Sequence, residues 1–400
     1  MMKTAKLAAA AALAAAVIFG MAACRGVPPA VETPAAYFAF DPATGTITGF
    51  SAEAPAGITE LNIPASIDGV PVTRIGIHAF AWSGLTAVAL PAGLVSIENM
   101  AFQHNDLREV AMPAGLASIG HSAFAHNYLT EVVIPESVVS IGGEAFANNY
   151  LTAVSIPESV ASIGAWAFAW NRLEAVAINA GLASIGQGAF QANRLTAVSI
   201  PAGVVYIGGE AFAENQLAEL NLPSGLAYIG EGAFAWNRLA ALAIPESVTH
   251  IGDAAFHQNR LAALAIPESV ASIGEAAFSF NELASLTLPE GLASIGSWAF
   301  QNNNLTEVVI PAGVVSIGVA AFSFNDLAAV TIPAGLTSIG SWAFQNNRLT
   351  SVTIGSNTSF DDTAFAWSAP PGPGAGLNAA RGGTGGTFTR IGQSENWIRE

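Results

Sequence analysis

Cysteine and charge are both scarce in this sequence. The 400 residues include one cysteine, Cys24, and only 10% of the residues are charged. A single cysteine excludes an intramolecular disulfide, so the fold must be stabilised by its core. Hydrophobic residues make up 52% of the chain, yet after residue 23 no apolar run is as long as a membrane-spanning helix. The composition therefore argues against a disulfide-stapled domain and against a membrane-spanning protein.

Basic residues are scarcer than acidic ones. Lys and Arg number 13 against 29 Asp and Glu, which gives a formal net charge of −16 at pH 7. Removal of residues 1–23, which contain Lys3 and Lys6 but no acid, would leave 11 basic residues against 29 acidic ones, a net charge of −18. A surface this acidic repels the phosphates of nucleic acids and of anionic membranes. We therefore expect no nucleic-acid partner.

Catalytic and cofactor-binding motifs are also absent. The sequence contains no phosphate-binding loop, no nucleophile elbow and no zinc-ligand spacing. His104 and His126, with His121 nearby, are the best metal candidate, but no fourth ligand accompanies them. The alternative is that these imidazoles face solvent in a variable position. We expect a non-enzymatic protein that needs no cofactor.

What the sequence does contain is a 22-residue repeat. Thirteen phenylalanines follow one another at this spacing, from Phe80 to Phe344, without an insertion or deletion. Positions are counted from this phenylalanine, and a column is the set of residues at one position in successive repeats. Ala occupies −1, Ile −5 and Leu +5 in every repeat, and Asn occupies +3 in all but the first, where Ser83 replaces it. Such a period predicts a solenoid, in which one short unit stacks on copies of itself.

The repeat that ends at Phe212 illustrates the expected local structure. Residues 195–200 have the apolar spacing of a short strand, and Pro201 ends it because proline has no amide hydrogen to donate. A second apolar approach to the core follows at positions −8 and −5. Gly208, at −4, is expected to supply the backbone freedom for a turn. Strands of successive repeats would stack in parallel about 4.8 Å apart.

The recurring asparagine at +3 is predicted to be structural. A buried amide on a turn can hydrogen-bond the backbone groups that no regular ladder satisfies. The column comprises Asn105, Asn127, Asn149, Asn171, Asn193, Asn215, Asn237, Asn259, Asn281, Asn303, Asn325 and Asn347.

The repeated string L-x-x-V-x-I-P-x-x-V-x-x-I-G-x-x-A-F-x-x-N resembles the BspA-like subtype of leucine-rich repeat proteins over residues 58–366. Many relatives carry Cys where this chain has Asn in the final turn. The resemblance implies a β-rich leucine-rich-repeat solenoid, a right-handed curved coil with one main parallel sheet. It also implies a surface-exposed bacterial protein associated with adhesion to host matrix proteins, epithelium or other bacteria. Fold analogy alone does not identify the partner.

The N-terminal region is predicted to be an export signal. Residues 1–23 carry Lys3 and Lys6 and then an Ala-rich apolar run, which is typical of a secretory signal peptide. Cys24 follows the tripeptide Met-Ala-Ala, which looks like a relaxed lipobox, so we expect Cys24 to be the acylated mature N-terminus. The alternative is ordinary cleavage nearby. The protein is therefore expected to be secreted and lipid-anchored, on an outer membrane or cell surface, and to contact the membrane through this lipid only.

The remaining segments flank the solenoid of residues 58–366. Residues 24–36 are expected to be a tether, and residues 37–57 a hairpin that caps the edge of the first repeat. Residues 367–386 form a Gly/Pro-rich linker. Residues 387–400 are a tail that either docks as a strand or hangs free.

Aromatic residues outside the invariant core form the candidate partner-binding surface. They occupy positions −2 and +2, so several of the rings should lie near the surface. Such rings can anchor protein partners or stack on sugars, and the alternative is that they shield the turns of neighbouring repeats. The candidates are Trp82, Trp166, Trp170, Trp236, Phe280, Trp298, Phe324 and Trp342.

Three functions fit these features. We favour an adhesin-like, monomeric binding protein that contacts proteins of host matrix, host cells or other bacteria, because a long stack is a large surface without chemistry of its own. A glycan-binding solenoid that uses the aromatic flank and a periplasmic or envelope structural protein are the alternatives. The outward strand positions carry mostly small side chains, so the sequence does not identify the partner.

Overall fold

The computed structural model describes residues 31–178, 181–355, 358–360, 363–365, 385–390 and 397–399. It divides into two compact units, one formed by the chain up to residue 204 with residues 214–216, the other by residues 205–213 and the chain from residue 217. The predicted signal peptide, Cys24, and parts of the tether, linker and tail lie outside the described residues.

Unit 1 is built from short strands joined by turns. Its described part begins with a 3-10 helix at Ala35–Tyr37 and continues with β1 (Phe38–Asp41), β2 (Thr46–Phe50), β3 (Glu60–Asn62), β4 (Ser66–Ile67), β5 (Val70–Pro71), β6 (Arg74–Ile75), β7 (Ala87–Ala89), β8 (Ser96–Ile97), β9 (Ser118–Ile119), β10 (Ser140–Ile141), β11 (Ala153–Ile156), β12 (Ser162–Ile163), β13 (Ala175–Ile178), β14 (Ser184–Ile185) and β15 (Ala197–Ser199).

Unit 2 repeats the same pattern. The described strands are β16 (Tyr206–Ile207), β17 (Glu219–Asn221), β18 (Tyr228–Ile229), β19 (His250–Ile251), β20 (Ala263–Ala265), β21 (Ser272–Ile273), β22 (Ser285–Thr287), β23 (Ser294–Ile295), β24 (Ser316–Ile317), β25 (Ala329–Ile332), β26 (Ser338–Ile339), β27 (Ser351–Ile354), β28 (Ser359–Phe360), β29 (Gly386–Arg390) and β30 (Trp397–Arg399). No helix in the described part of the chain has the length and apolar character needed to cross a bilayer.

The longest sheets are made of two-residue strands. In unit 1, β6, β8, β9, β10 and β12 pair in parallel, and each strand is in register with the strand 22 residues away. In unit 2 the same parallel alignment runs from β16 to β28. Each unit is therefore a parallel β-solenoid with about 22 residues per turn, which confirms the predicted fold class.

The strands predicted between +5 and the proline form a second, shorter alignment. They pair in parallel as β3–β7 and β11–β13 in unit 1 and as β20–β22 and β25–β27 in unit 2. The main sheet was predicted in this segment, between +5 and the proline. The segment that ends at the −5 isoleucine was predicted only to approach the core. The proline that follows the predicted strand has no amide hydrogen to donate to a neighbouring strand. The longer sheet therefore forms in the segment that ends at the −5 isoleucine.

Both ends of the described chain pair with neighbouring strands. Strands β1 and β2 form an antiparallel hairpin, and β2 pairs in parallel with β6, which confirms the predicted N-terminal hairpin over the sheet edge. Strand β29 lies antiparallel to β27 and β30 lies antiparallel to β29. Phe388 of β29 is fully buried. The described residues of the tail therefore dock as strands, which the sequence left open.

The core is a column of stacked phenylalanine rings. Within each unit the rings of successive repeats lie 5.3–5.7 Å apart, as in the pairs Phe124–Phe146 and Phe300–Phe322. These separations suit offset stacking of aromatic rings. The twelve phenylalanines from Phe80 to Phe322 are fully buried. Removing one ring from such a core typically costs about 3–5 kcal/mol.

The backbone around each phenylalanine alternates in handedness. The residues at −2 and +2 have positive φ, between 51° and 60°, in all thirteen repeats. The amides at −2, 0 and +2 donate to carbonyls of the next repeat, as Trp166 N does to Gln187 O at 2.7 Å and Trp170 N to Gln191 O at 2.9 Å. A non-glycine residue in this conformation costs roughly 1–2 kcal/mol. The hydrogen bonds between repeats offset that cost.

The glycine at −4 has a different role from the one predicted. No glycine of this column has positive φ, so freedom to turn is the wrong explanation. A Cβ on Gly142 would lie 2.5 Å from the carbonyl carbon of Gly120, and one on Gly274 would lie 2.6 Å from that of Gly252. Glycine fills this column in every repeat except the second, where Glu98 lies, because the backbones of successive repeats approach too closely at the other positions for a side chain.

Replacing Gly274 by Ala should therefore destabilise the protein by about 3 kcal/mol or more, because the new methyl group collides with backbone that cannot move aside. The matched control is Gly232→Ala, at position −2. The nearest atom to a Cβ there is Glu210 Cγ, 3.4 Å away, and Ala254 already occupies the same column at positive φ. Denaturant unfolding should show a large loss for the first variant and about 1 kcal/mol for the second. Equal losses would contradict the steric explanation.

Candidate binding surface

The asparagine column lies inside the stack and joins successive repeats. Asn193 is 7% exposed, and its Oδ1 accepts a hydrogen bond from Leu173 N at 3.0 Å. Its Nδ2 donates to Phe168 O of the preceding repeat at 3.0 Å and to Phe190 O of its own repeat at 3.1 Å. The remaining members of the column accept from the equivalent leucine amide in the same way. Each side chain thus satisfies backbone groups of two repeats.

Asn193→Ala should lower the free energy of unfolding by on the order of 1–3 kcal/mol, because it leaves the buried Leu173 amide without its acceptor. Phe168 O and Phe190 O each lose one of two donors and keep the asparagine of the neighbouring repeat. The control is Asn148→Ala, since Asn148 lies at the surface position +2. Its amide donates to Ala169 O through the backbone alone, and this bond survives the substitution. Thermal melts of the two variants provide the comparison. A melt of the Asn193 variant equal to that of wild type would contradict this account.

The predicted aromatic candidates all lie at the positive-φ positions −2 and +2. Seven of the eight rings are exposed, from 38% for Trp298 to 71% for Trp82. Trp166 is half-buried because its indole packs on the next repeat, where a Cβ on Gly188 would lie 2.2 Å from Trp166 Cδ1. The positive φ at these positions could have been predicted from the sequence. Glycine and asparagine, which favour positive φ, also occur in these two columns.

Four of the candidates are exposed in successive repeats of unit 2. Phe280, Trp298, Phe324 and Trp342 occupy four successive repeats, alternately at +2 and −2. Each is between 38% and 47% exposed. The opposite position of each repeat holds alanine or asparagine. Among the described residues none of these four rings stacks on another, while the His257 ring meets Phe280 edge-on at 5.4 Å. Large exposed aromatic groups are typical anchors of binding partners.

The predicted histidine pair lies in a ring stack of unit 1. The imidazoles of His104 and His126 are 4.1 Å apart and nearly parallel, and Trp82 stacks on His104 at 3.6 Å. Burial, followed by the nearby His126, lowers the pKa of His104. His121 does not join this stack. In the part of the chain that the structure describes, no three His, Cys, Asp or Glu residues are placed to hold a metal ion.

Two further ring stacks were not predicted from the sequence. In unit 2, Tyr206, Tyr228 and His250 replace the serine of three successive strands, with ring separations of 4.8 and 4.5 Å. In unit 1, Tyr128 and Tyr150 stack at 5.7 Å. Both sets lie 22 residues apart in the sequence, so alignment of every column, and not of the core columns alone, would have revealed them.

Comparison with known proteins places the chain among bacterial repeat proteins. A family model described as "BspA type Leucine rich repeat region" matches residues 54–174, 139–262 and 249–370. A leucine-rich repeat protein from Bacteroides ovatus is similar in structure, with a TM-score of 0.66, 23% identity, and coverage of 84% of this chain and 91% of that one. A leucine rich cell surface protein from Faecalibacterium prausnitzii has a TM-score of 0.53, 24% identity, and coverage of 85% and 95%. No curated protein matches the sequence significantly.

Proposed function

We propose, from the premise that this chain belongs to the family of BspA type leucine-rich repeat proteins, that it is an adhesin-like binding protein whose aromatic columns contact partner proteins. Leucine-rich repeat proteins of the bacterial surface type are generally protein-interaction scaffolds. The observation that carries the proposal is the set of seven exposed aromatic rings at −2 and +2. The proposed partners are proteins of host matrix, host cells or other bacteria.

The rings suit binding because they are independent of the core. Positions −2 and +2 hold residues as different as Trp, His, Glu, Asn, Ala and Gly. The stack therefore needs the backbone conformation at these positions and not a particular side chain. Trp and Phe are rigid, with two side-chain torsions each, so little conformational entropy is lost when a partner covers them. Exposed rings at a position without a packing requirement favour an interaction with another molecule.

The test replaces rings by a residue that the same column already contains. In the variant Trp170→Asn with Trp236→Asn, asparagine takes a +2 position, as it does at Asn302. Binding to immobilised matrix proteins and to epithelial or bacterial cells should fall by about tenfold or more, as expected for aromatic anchors of an interface. The melting temperature should stay close to that of wild type. The measurement is surface plasmon resonance together with cell binding.

The matched control makes the same change where no ring is lost. Ala192→Asn with Gln258→Asn alters the +2 column in both units and should leave binding unchanged. Equal binding by wild type, the ring variant and the control variant would contradict the proposal. A loss of binding that is explained by unfolding alone would also contradict it. If the ring variant loses binding only to neutral glycans, with quenching of Trp fluorescence by those glycans in the wild type, the aromatic columns are a glycan site.

We further propose that the protein is displayed on the cell surface through a lipid on Cys24. The support is the sequence pattern of residues 1–24 and the cell-surface description of the Faecalibacterium protein. Residues 24–36 would then be the tether between the lipid and the solenoid.

The wild-type protein should be recovered from the membrane fraction with a diacylglyceryl group on Cys24, and the Cys24→Ser variant should not, because only the cysteine thiol accepts that group. Mass spectrometry of the mature N-terminus and protease treatment of intact cells provide the readout. An unmodified N-terminus at another residue would contradict the lipid anchor. Protection from protease on intact cells would contradict surface display and favour an envelope role.

A further inference from the structure

Position +4 of the repeat is a surface position between two buried ones. The asparagine at +3 and the leucine at +5 are buried in the core. Several repeats carry a small polar or acidic residue at +4, as at Asp106, Gln216 and Asn304. The core therefore sets no requirement for this side chain. In unit 1, four successive repeats instead carry Tyr128, Tyr150, Arg172 and Arg194.

Tyr128, Tyr150 and Arg172 stack in sequence, and Arg194 is next in the same column; these four side chains are called the ladder. The rings of Tyr128 and Tyr150 stack at 5.7 Å, and the Arg172 guanidinium carbon lies 4.1 Å from the centre of the Tyr150 ring. Arg108 approaches the Tyr128 ring at 6.0 Å. A guanidinium that lies over a ring keeps its N–H donors, which point outward in its own plane. The stack thus holds Arg172 in place while its hydrogen-bonding edge stays available.

The arginines of this ladder form no ion pair with an acid in the part of the chain that the structure describes. Within the described ranges, the ion pairs of the structure are Arg74–Glu98 and Arg348–Asp326. Arg172 and Arg194 are exposed and make none. Glu174, two residues after Arg172, is also exposed but forms no ion pair with either. Two like charges in adjacent repeats without a counterion favour an anion that bridges them, and guanidinium groups suit carboxylate and sulfate groups in particular.

We propose that Arg172, held on the Tyr128–Tyr150 stack, and Arg194 of the next repeat are a binding site for an acidic polysaccharide, a glycan chain that carries carboxylate or sulfate groups. The site lies outside the aromatic columns at −2 and +2. It therefore adds a second ligand class to the proposed function and does not depend on it. The protein carries a net charge of −16, so its negative potential repels an anionic polymer from the rest of the surface and favours binding at this ladder.

The spacing of the ladder favours a glycan over an acidic peptide. Parallel strands of successive repeats stack about 4.8 Å apart, and the two tyrosine rings of adjacent repeats are 5.7 Å apart. Side chains on one face of an extended peptide are about 6.7 Å apart, so the side chains of a peptide would lose alignment with the ladder by about 1–2 Å at every repeat. Successive sugars of an extended β-linked glycan advance by close to one repeat. A glycan can therefore place one polar group on each of the four side chains.

The test compares two arginine pairs of the same column. The variant Arg172→Gln with Arg194→Gln removes the proposed site, and Arg238→Gln with Arg260→Gln removes an equivalent pair in unit 2. The second pair has no tyrosine at +4 in the repeat before it, where Gln216 lies, and Glu282 follows it. Both variants lose two positive charges, so they change the net charge equally. Melting temperatures of both are measured alongside binding.

The probes are chondroitin sulfate, cellulose sulfate, polymannuronate, neutral cello-oligosaccharides and polyglutamate, in isothermal titration at low and at physiological salt. Wild type should bind one or more of the three acidic glycans, more weakly at higher salt, and should not bind the cello-oligosaccharides. Cellulose sulfate and polymannuronate, both β-linked, separate recognition of sulfate from recognition of carboxylate. The Arg172/Arg194 variant should bind about tenfold more weakly or worse, as expected when charged hydrogen bonds are lost. The Arg238/Arg260 variant should bind almost as wild type does.

Substitutions at Tyr150 test whether its ring orients Arg172 for binding. Tyr150→Leu should weaken binding by about threefold to fivefold because the ring that orients Arg172 is gone, whereas Tyr150→Phe keeps the ring and most of the affinity. The proposal is overturned if no acidic glycan binds, if both arginine variants lose affinity equally, or if polyglutamate binds as tightly as the glycans. The variant Trp170→Asn with Trp236→Asn should bind acidic glycans normally, so failure of this site and failure of the protein-binding surface are distinguishable.

Discussion

Hydrogen bonding between the backbones of successive repeats is the interaction on which the rest of the structure depends. The amides at −2, 0 and +2 donate to the next repeat, and the buried asparagine at +3 joins each repeat to the one before it. These contacts hold only if equivalent atoms of adjacent repeats lie opposite each other. The uninterrupted 22-residue spacing from Phe80 to Phe344 keeps those atoms opposite each other, and the step of 21 residues to Phe365 preserves the ring stack at 5.2 Å.

The same register turns variable positions into surface columns. A side chain at −2, +2 or +4 has as neighbours the residues 22 positions before and after it, so two suitable residues at that spacing are enough to make a ring stack or a charged pair. Because the backbone at −2 and +2 keeps positive φ with Trp, Glu, Asn or Ala, a ring gained or lost there alters the surface and leaves the hydrogen bonds between repeats in place. The positions that stabilise the stack are thus different from the positions proposed for recognition.

Sequence reasoning succeeded where the signal is repeated and failed where it depends on backbone geometry. The invariant Phe, Ile and Leu columns predicted the stacked core, and the hairpin over the first repeat followed from its alternating apolar residues. The glycine at −4 was misread because glycine has two uses, positive φ and close approach, and composition does not separate them. The docked tail was undecidable because the pairing of β29 with β27 joins segments separated by the Gly/Pro-rich linker. The exposure of the aromatic candidates was expected, but their positive φ was not.

Charge distribution separates the two proposed surfaces. The aromatic rings proposed as anchors are uncharged, whereas the site proposed at +4 depends on guanidinium groups in a chain that has few of them. Five of the arginines, Arg172, Arg194, Arg238, Arg260 and Arg348, share the +4 column, and Arg348 alone among them pairs with an acid within the described ranges. Concentrating unpaired cations in one column of an acidic protein creates a local attraction for anions that the surrounding surface opposes. Tyr150 adds orientation to that attraction at Arg172, and this combination makes the ladder of unit 1 different from the equivalent arginine pair of unit 2.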